Sequence, residues 1–170
     1  MLIHEITNEE LDELPELDGI PSPYFNMLSG EEHYRLLRFV SSYYSLIFDI
    51  GTYRGYSALA LSFGSDKVVS YDVKNHRTIY DHDIHFKIGN VLNDKELLKA
   101  DLILLDTFHN GDFEKELTDH LDKYKWKGVL IADDIHFNQA MEDWWASIDK
   151  EKYDITHIGH HSGTGVIYYK

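Results

Sequence analysis

IFDIGTYRGYSALALS, residues 47–62, changes its pattern halfway along. Ile47 and Phe48 are apolar and strand-like, whereas Ala58, Leu59, Ala60 and Leu61 are strong helix formers. Between them Asp49, Gly51, Gly55 and Ser57 punctuate the run. The stretch therefore predicts a buried strand, a turn with two glycines and the start of a helix. Glycines in such a turn allow tight backbone and close ligand approach. The first N–H groups of the helix have no partner within it. An open α/β sheet holds a nucleotide-like ligand at a turn of this kind.

Strand and helix signals alternate downstream of this turn. Strands are predicted at 45–50, 67–72, 84–88, 101–106, 127–133, 152–158 and 164–169. Helices are predicted at 55–64, briefly near 93–99, at 112–124 and at 138–149. Two of these carry apolar stripes, Phe113/Leu117/Leu121/Tyr124 and Met141/Trp144/Trp145/Ile148, which read as core. Alternation at this spacing implies a parallel sheet covered on both faces. The last two strands are separated only by Gly159–Gly163, so they must form an antiparallel hairpin. The connection at 73–83 is too polar and short for a full crossover helix and reads as trimmed.

Upstream, residues 1–28 are acidic, hold all three prolines and read as a short helix followed by an extended segment lying on the domain. Ser29 and Glu32 have the spacing of a capping box, opening a helix with Leu36, Leu37, Val40 and Tyr44 on one face. A single domain is expected for 170 residues, divided into an N-terminal segment and helix at 1–44 and the main sheet domain at 45–170.

Bulk composition excludes several functions. The net charge of −14 repels phosphate backbones and argues against nucleic acid as main partner. No cysteine is present, which rules out disulfides, thiolate metal sites and a thiol nucleophile. No apolar run is long enough for a membrane span, and the N-terminus lacks a signal-peptide pattern, so a cytoplasmic location is the expectation.

With seven strands, a closing hairpin and DIGTYRGYSALAL after the first sheet strand, residues 45–170 resemble the class I S-adenosylmethionine-dependent methyltransferases. The turn is most similar to that of the small-molecule O-methyltransferases of the catechol and caffeoyl-CoA type and their bacterial relatives. A dinucleotide dehydrogenase would want GxGxxG, and Gly51 and Gly55 stand four apart with no glycine between. The resemblance implies a Rossmann-like α/β three-layer sandwich. Its sheet would be mostly parallel in the order 3-2-1-4-5-7-6, with the last strand antiparallel. It also implies S-adenosylmethionine as cofactor, cradled by Asp49, Gly51, Thr52, Tyr53, Gly55 and Ser57. Asp72, about 20 residues past the turn, would bond ribose hydroxyls. Asn90 would meet the adenine amino group where relatives often carry Asp, and Asp106 would border the same ligand.

In the metal-dependent members, carboxylates at the positions of Asp106, Asp133 and Asp134 hold one divalent cation, and hard oxygen donors suit Mg²⁺, Mn²⁺ or Ca²⁺. His109 stands where those enzymes carry a catalytic lysine, and its ordinary pKa suits a general base at neutral pH. It could instead be a ligand, as could His136, and mixed His/Asp ligation would shift the ion toward Mn²⁺, Fe²⁺ or Zn²⁺. His160 and His161, in the last hairpin turn, share the same rim if strand six is parallel. The implied reaction is methyl transfer to an oxygen of a small-molecule acceptor, with Asp106 and His109 as the catalytic pair. Tyr53, Tyr56, Phe108 and Phe137 are available to an acceptor or to packing. Two other readings stay open: a binding protein of the same fold without turnover, and a metal-dependent enzyme built on the His/Asp rim. A homodimer is also left open.

Overall fold

The computed structural model describes residues 1–80 and 83–170. Its sheet contains β1 (Ile47–Ile50), β2 (Val68–Asp72), β3 (Ile84–Ile88), β4 (Leu102–Leu105), β5 (Gly128–Asp133), β6 (Lys152–Asp154) and β7 (Thr164–Tyr169). The strand order is β3-β2-β1-β4-β5-β7-β6. The first five strands pair in parallel, and β7 runs antiparallel to both β5 and β6. β6 is thereby parallel to the rest, and the β6–β7 connection lies at the sheet's carboxyl edge. The order and direction expected from the sequence are both present.

β1 and β4 are buried along their whole length, as central parallel strands must be, which is why IFDI and LILL read as near-continuous apolar runs. Alternate side chains then serve opposite faces. Ile47, Leu102, Leu104 and Ile131 pack with α2 (Tyr34–Ser41) and α3 (Tyr56–Ser62). Phe48, Ile50, Ile103, Leu105 and Leu130 pack with α4 (Asp112–Lys123) and α5 (Gln139–Ser147). Helices on both faces give the three-layer sandwich.

Several local expectations shift. α4 stops at Lys123, so Tyr124 leaves the helical register and is exposed, while Trp126 fills that end of the core and donates from Nε1 to the Ala100 carbonyl at 2.9 Å. α5 stops at Ser147, and Ile148 continues in extended backbone. The sixth strand ends at Asp154 because its carboxylate accepts from the Thr156 N–H at 3.0 Å and starts a turn. The helix expected from Ser29 begins only at Tyr34, with His33 as an N-cap that makes no side-chain cap bond. The Ser29 hydroxyl accepts from Asn8 Nδ2 instead, at 2.9 Å. The capping box belongs to Thr7 and Glu10, at the start of α1 (Asn8–Asp12).

Several side chains hold the N-terminal segment: Tyr168 accepts from the Ile3 N–H, Arg38 donates to the Pro15 carbonyl, and Arg35 makes the most bonds. Arg35, on the buried face of α2, donates to the carbonyls of Leu11, Asp12, Leu14, Asn26 and Met27. The guanidinium's five N–H donors suit such a bundle of acceptors, and the carbonyl dipoles replace water around the charge. The connection after β2 has no helix over residues 73–80; Asp81 and His82 lie outside the described residues. Thr78 and Ile79 donate to the Arg54 carbonyl, which binds this connection to the glycine turn.

Candidate functional site

The turn between β1 and α3 needs glycine at both marked positions. Gly51 has φ of +102°, and a Cβ there would stand 1.5 Å from the Asp106 carbonyl oxygen. Only a residue without a side chain lets the end of β1 approach the exit of β4 this closely. Gly55 has φ of +98° and is the N-cap of α3.

A cavity of about 560 Å³ opens at the carboxyl edge of β1, β2 and β4, between the glycine turn and the β4 exit. Gly51, Tyr53, Asp72, Asn90, Asp106 and His109 all line it. The Asp72 carboxylate ends β2 and accepts from the backbone N–H groups of Tyr53 at 2.9 Å and Lys74 at 3.0 Å. A carboxylate has about four acceptor positions, so two backbone bonds leave capacity for hydroxyl donors. The Asn90 side-chain oxygen already accepts from Leu92 N–H at 2.9 Å, capping the turn after β3.

Asp49 is fully buried on the α3 side of β1. Its Oδ2 accepts from the Ser70 hydroxyl at 2.6 Å, while Oδ1 has no hydrogen-bond partner. Burial pushes its pKa up to about 6, against the pull of the Ser70, Ser57 and Thr52 hydroxyls. Thr52 Oγ1 is likewise buried and, though near enough to Asp49 to lower its pKa, makes no hydrogen bond of good geometry. Two unsatisfied polar oxygens directly beside the glycine turn are costly unless a ligand completes them.

The far wall of the cavity carries His109. Its Nε2 lies 3.3 Å from Asp106 Oδ1 and 3.1 Å from Asp134 Oδ2. The Asn138 side chain donates to the His109 carbonyl at 2.7 Å and fixes the backbone. Burial opposes protonation of this imidazole, but the bond to Asp106 and the charges of Asp106, Asp134 and Asp133 outweigh it and raise the pKa. Burial raises the Asp106 carboxyl in turn, partly offset by His109. Tyr53, His109 and Asp134 all hold positive φ, at +43°, +52° and +58°. Non-glycine residues in this region cost energy and concentrate where geometry serves a function.

Behind this wall lies a second group that the sequence reading did not assemble. Asp133, at the end of β5, stands between two imidazoles. His33 Nδ1 is 3.3 Å from Asp133 Oδ1, and His160 Nδ1 is 3.5 Å from Asp133 Oδ2. His160 Nδ1 is also 3.2 Å from Asp134 Oδ1, and Glu32 Oε1 is 3.7 Å from His160 Nε2. Burial opposes protonation of both imidazoles, yet Asp133 is the main group that raises His33 to about 9, and Asp133 with Asp134 and Glu32 raises His160 to about 10. Asp133 itself, despite burial, is driven well below the usual carboxylate range by the two histidines. Burial raises Glu32.

Among the described residues, His33, Asp133 and His160 form the one group whose donor atoms all lie within 4.8 Å of one another. Asp106, Asp133 and Asp134 do not form such a group: Asp106 and Asp134 turn to His109, Asp133 turns to His33 and His160, and Asp134 Oδ1 also meets His160. His136 is engaged elsewhere, with Nε2 at 2.7 Å from Asp154 Oδ2. His161 is exposed, with Nδ1 at 3.2 Å from the Glu31 carbonyl. The Tyr56 hydroxyl donates to the Pro21 carbonyl at 2.6 Å. Tyr53, Phe108 and Phe137 are 57%, 76% and 60% exposed, so these three aromatics are not core packing. His33 had no signal beyond a place at a helix start. Its role depends on how the α2 N-terminus crosses the sheet edge, which spacing alone does not encode.

No protein-family model and no curated protein sequence matches the chain. Many solved structures share its fold. A methyltransferase from Geobacter sulfurreducens superimposes with a TM-score of 0.63 at 16% identity, over 95% of this chain and 96% of that one. An SAH-bound methyltransferase from Podospora anserina gives 0.62 at 18% identity, over 81% of this chain and 77% of that one. An O-methyltransferase from Bacillus cereus in complex with SAH gives 0.55 at 17% identity, over 95% and 90%. The chain has the Rossmann-like fold of the class I methyltransferases. Among the described residues, no helix is long and apolar enough to cross a membrane.

Proposed function

We propose that this chain transfers a methyl group from S-adenosylmethionine to an oxygen of a small acceptor. The observation that carries the reading is the single cavity wall that runs from Asp72 past Gly51 to Asp106 and His109. Its volume of about 560 Å³ falls within the usual range for small-molecule sites. Likeness of fold to SAH-bound methyltransferases supports the same assignment.

The residues present suit the cofactor. Asp72 would accept from ribose hydroxyls, and Asn90 would border the base. Gly51 forms a floor without side chain. Asp49 and Thr52, enclosed beside the glycine turn and off the cavity lining, would act on the methionine amino end from behind the turn. When bound, S-adenosylmethionine supplies an electrophilic methyl carbon on a sulfonium, so the protein's part is mainly positioning and deprotonation.

An oxygen acceptor loses a proton as its new bond forms, and His109 is the base placed to take it. In the neutral tautomer protonated on Nε2, that N–H would donate to Asp106 or Asp134 and Nδ1 would carry the free lone pair. The two carboxylates hold the ring and stabilise the imidazolium that results. Tyr53, Phe108 and Phe137 offer exposed ring faces at the rim, suited to a small acceptor with an apolar or aromatic body.

Isothermal titration with S-adenosylmethionine and S-adenosylhomocysteine tests the reading. Saturable heat with both, weakened by Asp72→Ala, is expected. A folded protein that gives no heat with either ligand does not support methyl transfer.

A further inference from the structure

The group at His33, Asp133 and His160 goes beyond the methyl-transfer reading and does not depend on it. Its residues come from three distant segments: the N-terminus of α2, the end of β5 and the β6–β7 loop. The three carboxylates of the metal-dependent relatives are an all-oxygen set, and here they are divided between different histidines. What converges instead is two imidazoles and one carboxylate.

The spacing is informative. A charge-assisted hydrogen bond between imidazolium and carboxylate settles at about 2.7–2.9 Å. The two contacts to Asp133 are longer, at 3.3 and 3.5 Å. Nitrogen and oxygen donors about 2.1 Å from a tetrahedral ion stand about 3.4 Å from one another. The two contacts reach different oxygens of the Asp133 carboxylate, and His160 Nδ1 also meets Ser162 Oγ at 2.7 Å, yet one donor atom from each of His33, Asp133 and His160 lies within 4.8 Å of the others, about the spread of a single coordination sphere. A second observation concerns His33. The ring is fully enclosed, and neither Nδ1 nor Nε2 makes a hydrogen bond. Nδ1 faces Asp133 Oδ1 at 3.3 Å without hydrogen-bond geometry, and Nε2 has no hydrogen-bond partner. His160 keeps 17% of its side chain exposed, which gives the group a side open to entry.

We propose that His33, Asp133 and His160 bind one divalent transition ion of the zinc class, with Asp133 between the two imidazoles. Two nitrogens and one oxygen suit Zn²⁺, Co²⁺, Mn²⁺ or Fe²⁺ better than Mg²⁺ or Ca²⁺, which prefer all-oxygen shells. Asp134 and Glu32, both close to His160, are available as a further ligand or as partners that orient the ring. The ion would tie the start of α2 and the last hairpin to the end of β5. It would therefore act as a clamp on the rim behind His109 as well as a Lewis acid next to it.

The test uses the full chain and needs no methyl acceptor. The metal content of purified protein is measured by mass spectrometry after equilibration with Zn²⁺, Co²⁺ or Mg²⁺ and removal of the excess. Melting temperature and the Co²⁺ absorption spectrum are recorded beside it. One Zn²⁺ or Co²⁺ per chain, a raised melting temperature and an intense tetrahedral Co²⁺ spectrum are expected. His33→Gln, His160→Gln and Asp133→Asn should each weaken binding at least about tenfold, while His136→Gln leaves it unchanged. Should His33→Gln fail to fold, the partly exposed His160→Gln decides the matter. Folded wild-type protein without bound Zn²⁺ or Co²⁺ overturns the proposal. So does binding that His160→Gln leaves intact, or Mg²⁺ retention that Zn²⁺ cannot displace.

Discussion

Replacing Asp49 by Asn should move stability and ligand binding in opposite directions. The Asp49 carboxyl is enclosed, with Oδ1 unpartnered, and its pKa is raised from 3.8 to about 6. Each unit is worth 1.36 kcal/mol, so the ionised form costs the folded state up to about 3 kcal/mol at neutral pH. The sign follows from the direction of the shift. Because the folded pKa lies above the unfolded one, stability falls as pH rises from about 4 to about 6, and the loss is complete above that. Asn removes this cost. Its carbonyl can still accept from Ser70, and its amide can donate to the unpartnered Thr52 Oγ1. Asp49→Asn should therefore melt higher at pH 7, by roughly 2–4 °C per kcal/mol for a domain of this size. The gap should narrow toward zero near pH 4. The same change should weaken S-adenosylmethionine binding, because the amino end of the ligand loses a carboxylate. Scanning fluorimetry from pH 4 to 8 with titration of the ligand measures both. A variant that melts lower at every pH, or binds the cofactor as tightly as wild type, would refute the reasoning.

Other outcomes follow from the same geometry. Gly51→Ala should cost about 3 kcal/mol or more, or prevent folding, because its Cβ would overlap the Asp106 carbonyl; urea denaturation measures it. His109→Gln should lower kcat by about 10²–10⁴-fold while leaving cofactor affinity within a few-fold, read by turnover and titration on one preparation. In wild type, kcat/KM should rise with pH through a limb above the ordinary histidine value of 6.5, since a raised pKa keeps the base protonated to higher pH; a limb at or below that value contradicts the assignment. Arg35→Ala should leave five carbonyls without their donor and release the N-terminal segment, seen as new protease cleavage within residues 1–28.

Much of the fold was legible because its signals are local. The β1–α3 turn declares itself through Gly51 and Gly55, and both are required by backbone conformation. The closing hairpin is forced by the few residues between β6 and β7. Errors arose where the chain had two local solutions. Ser29 and Glu32 have capping spacing, but Glu32 turns to His160 and Ser29 to Asn8, while the neighbouring Thr7 and Glu10 form the box. The site was legible only to the edge of the sheet. Asp106, Asp133 and Asp134 announce themselves at strand ends. Which histidine each one faces is decided by loops and by the start of α2. Asp133 and Asp134 share His160, but Asp133 also faces His33 whereas Asp134 also faces His109, because Asp134 turns into the left-handed region immediately after β5. No pattern of spacing carries that information.

Methyl transfer by this chain requires that it bind the cofactor. Titrating S-adenosylhomocysteine into purified wild-type protein and Asp72→Ala, with melting curves to verify folding, is the decisive measurement. One saturable site per chain in wild type, with clearly weakened binding in the variant, is the predicted result. A cooperatively folded wild-type protein that takes up neither S-adenosylhomocysteine nor S-adenosylmethionine would contradict it.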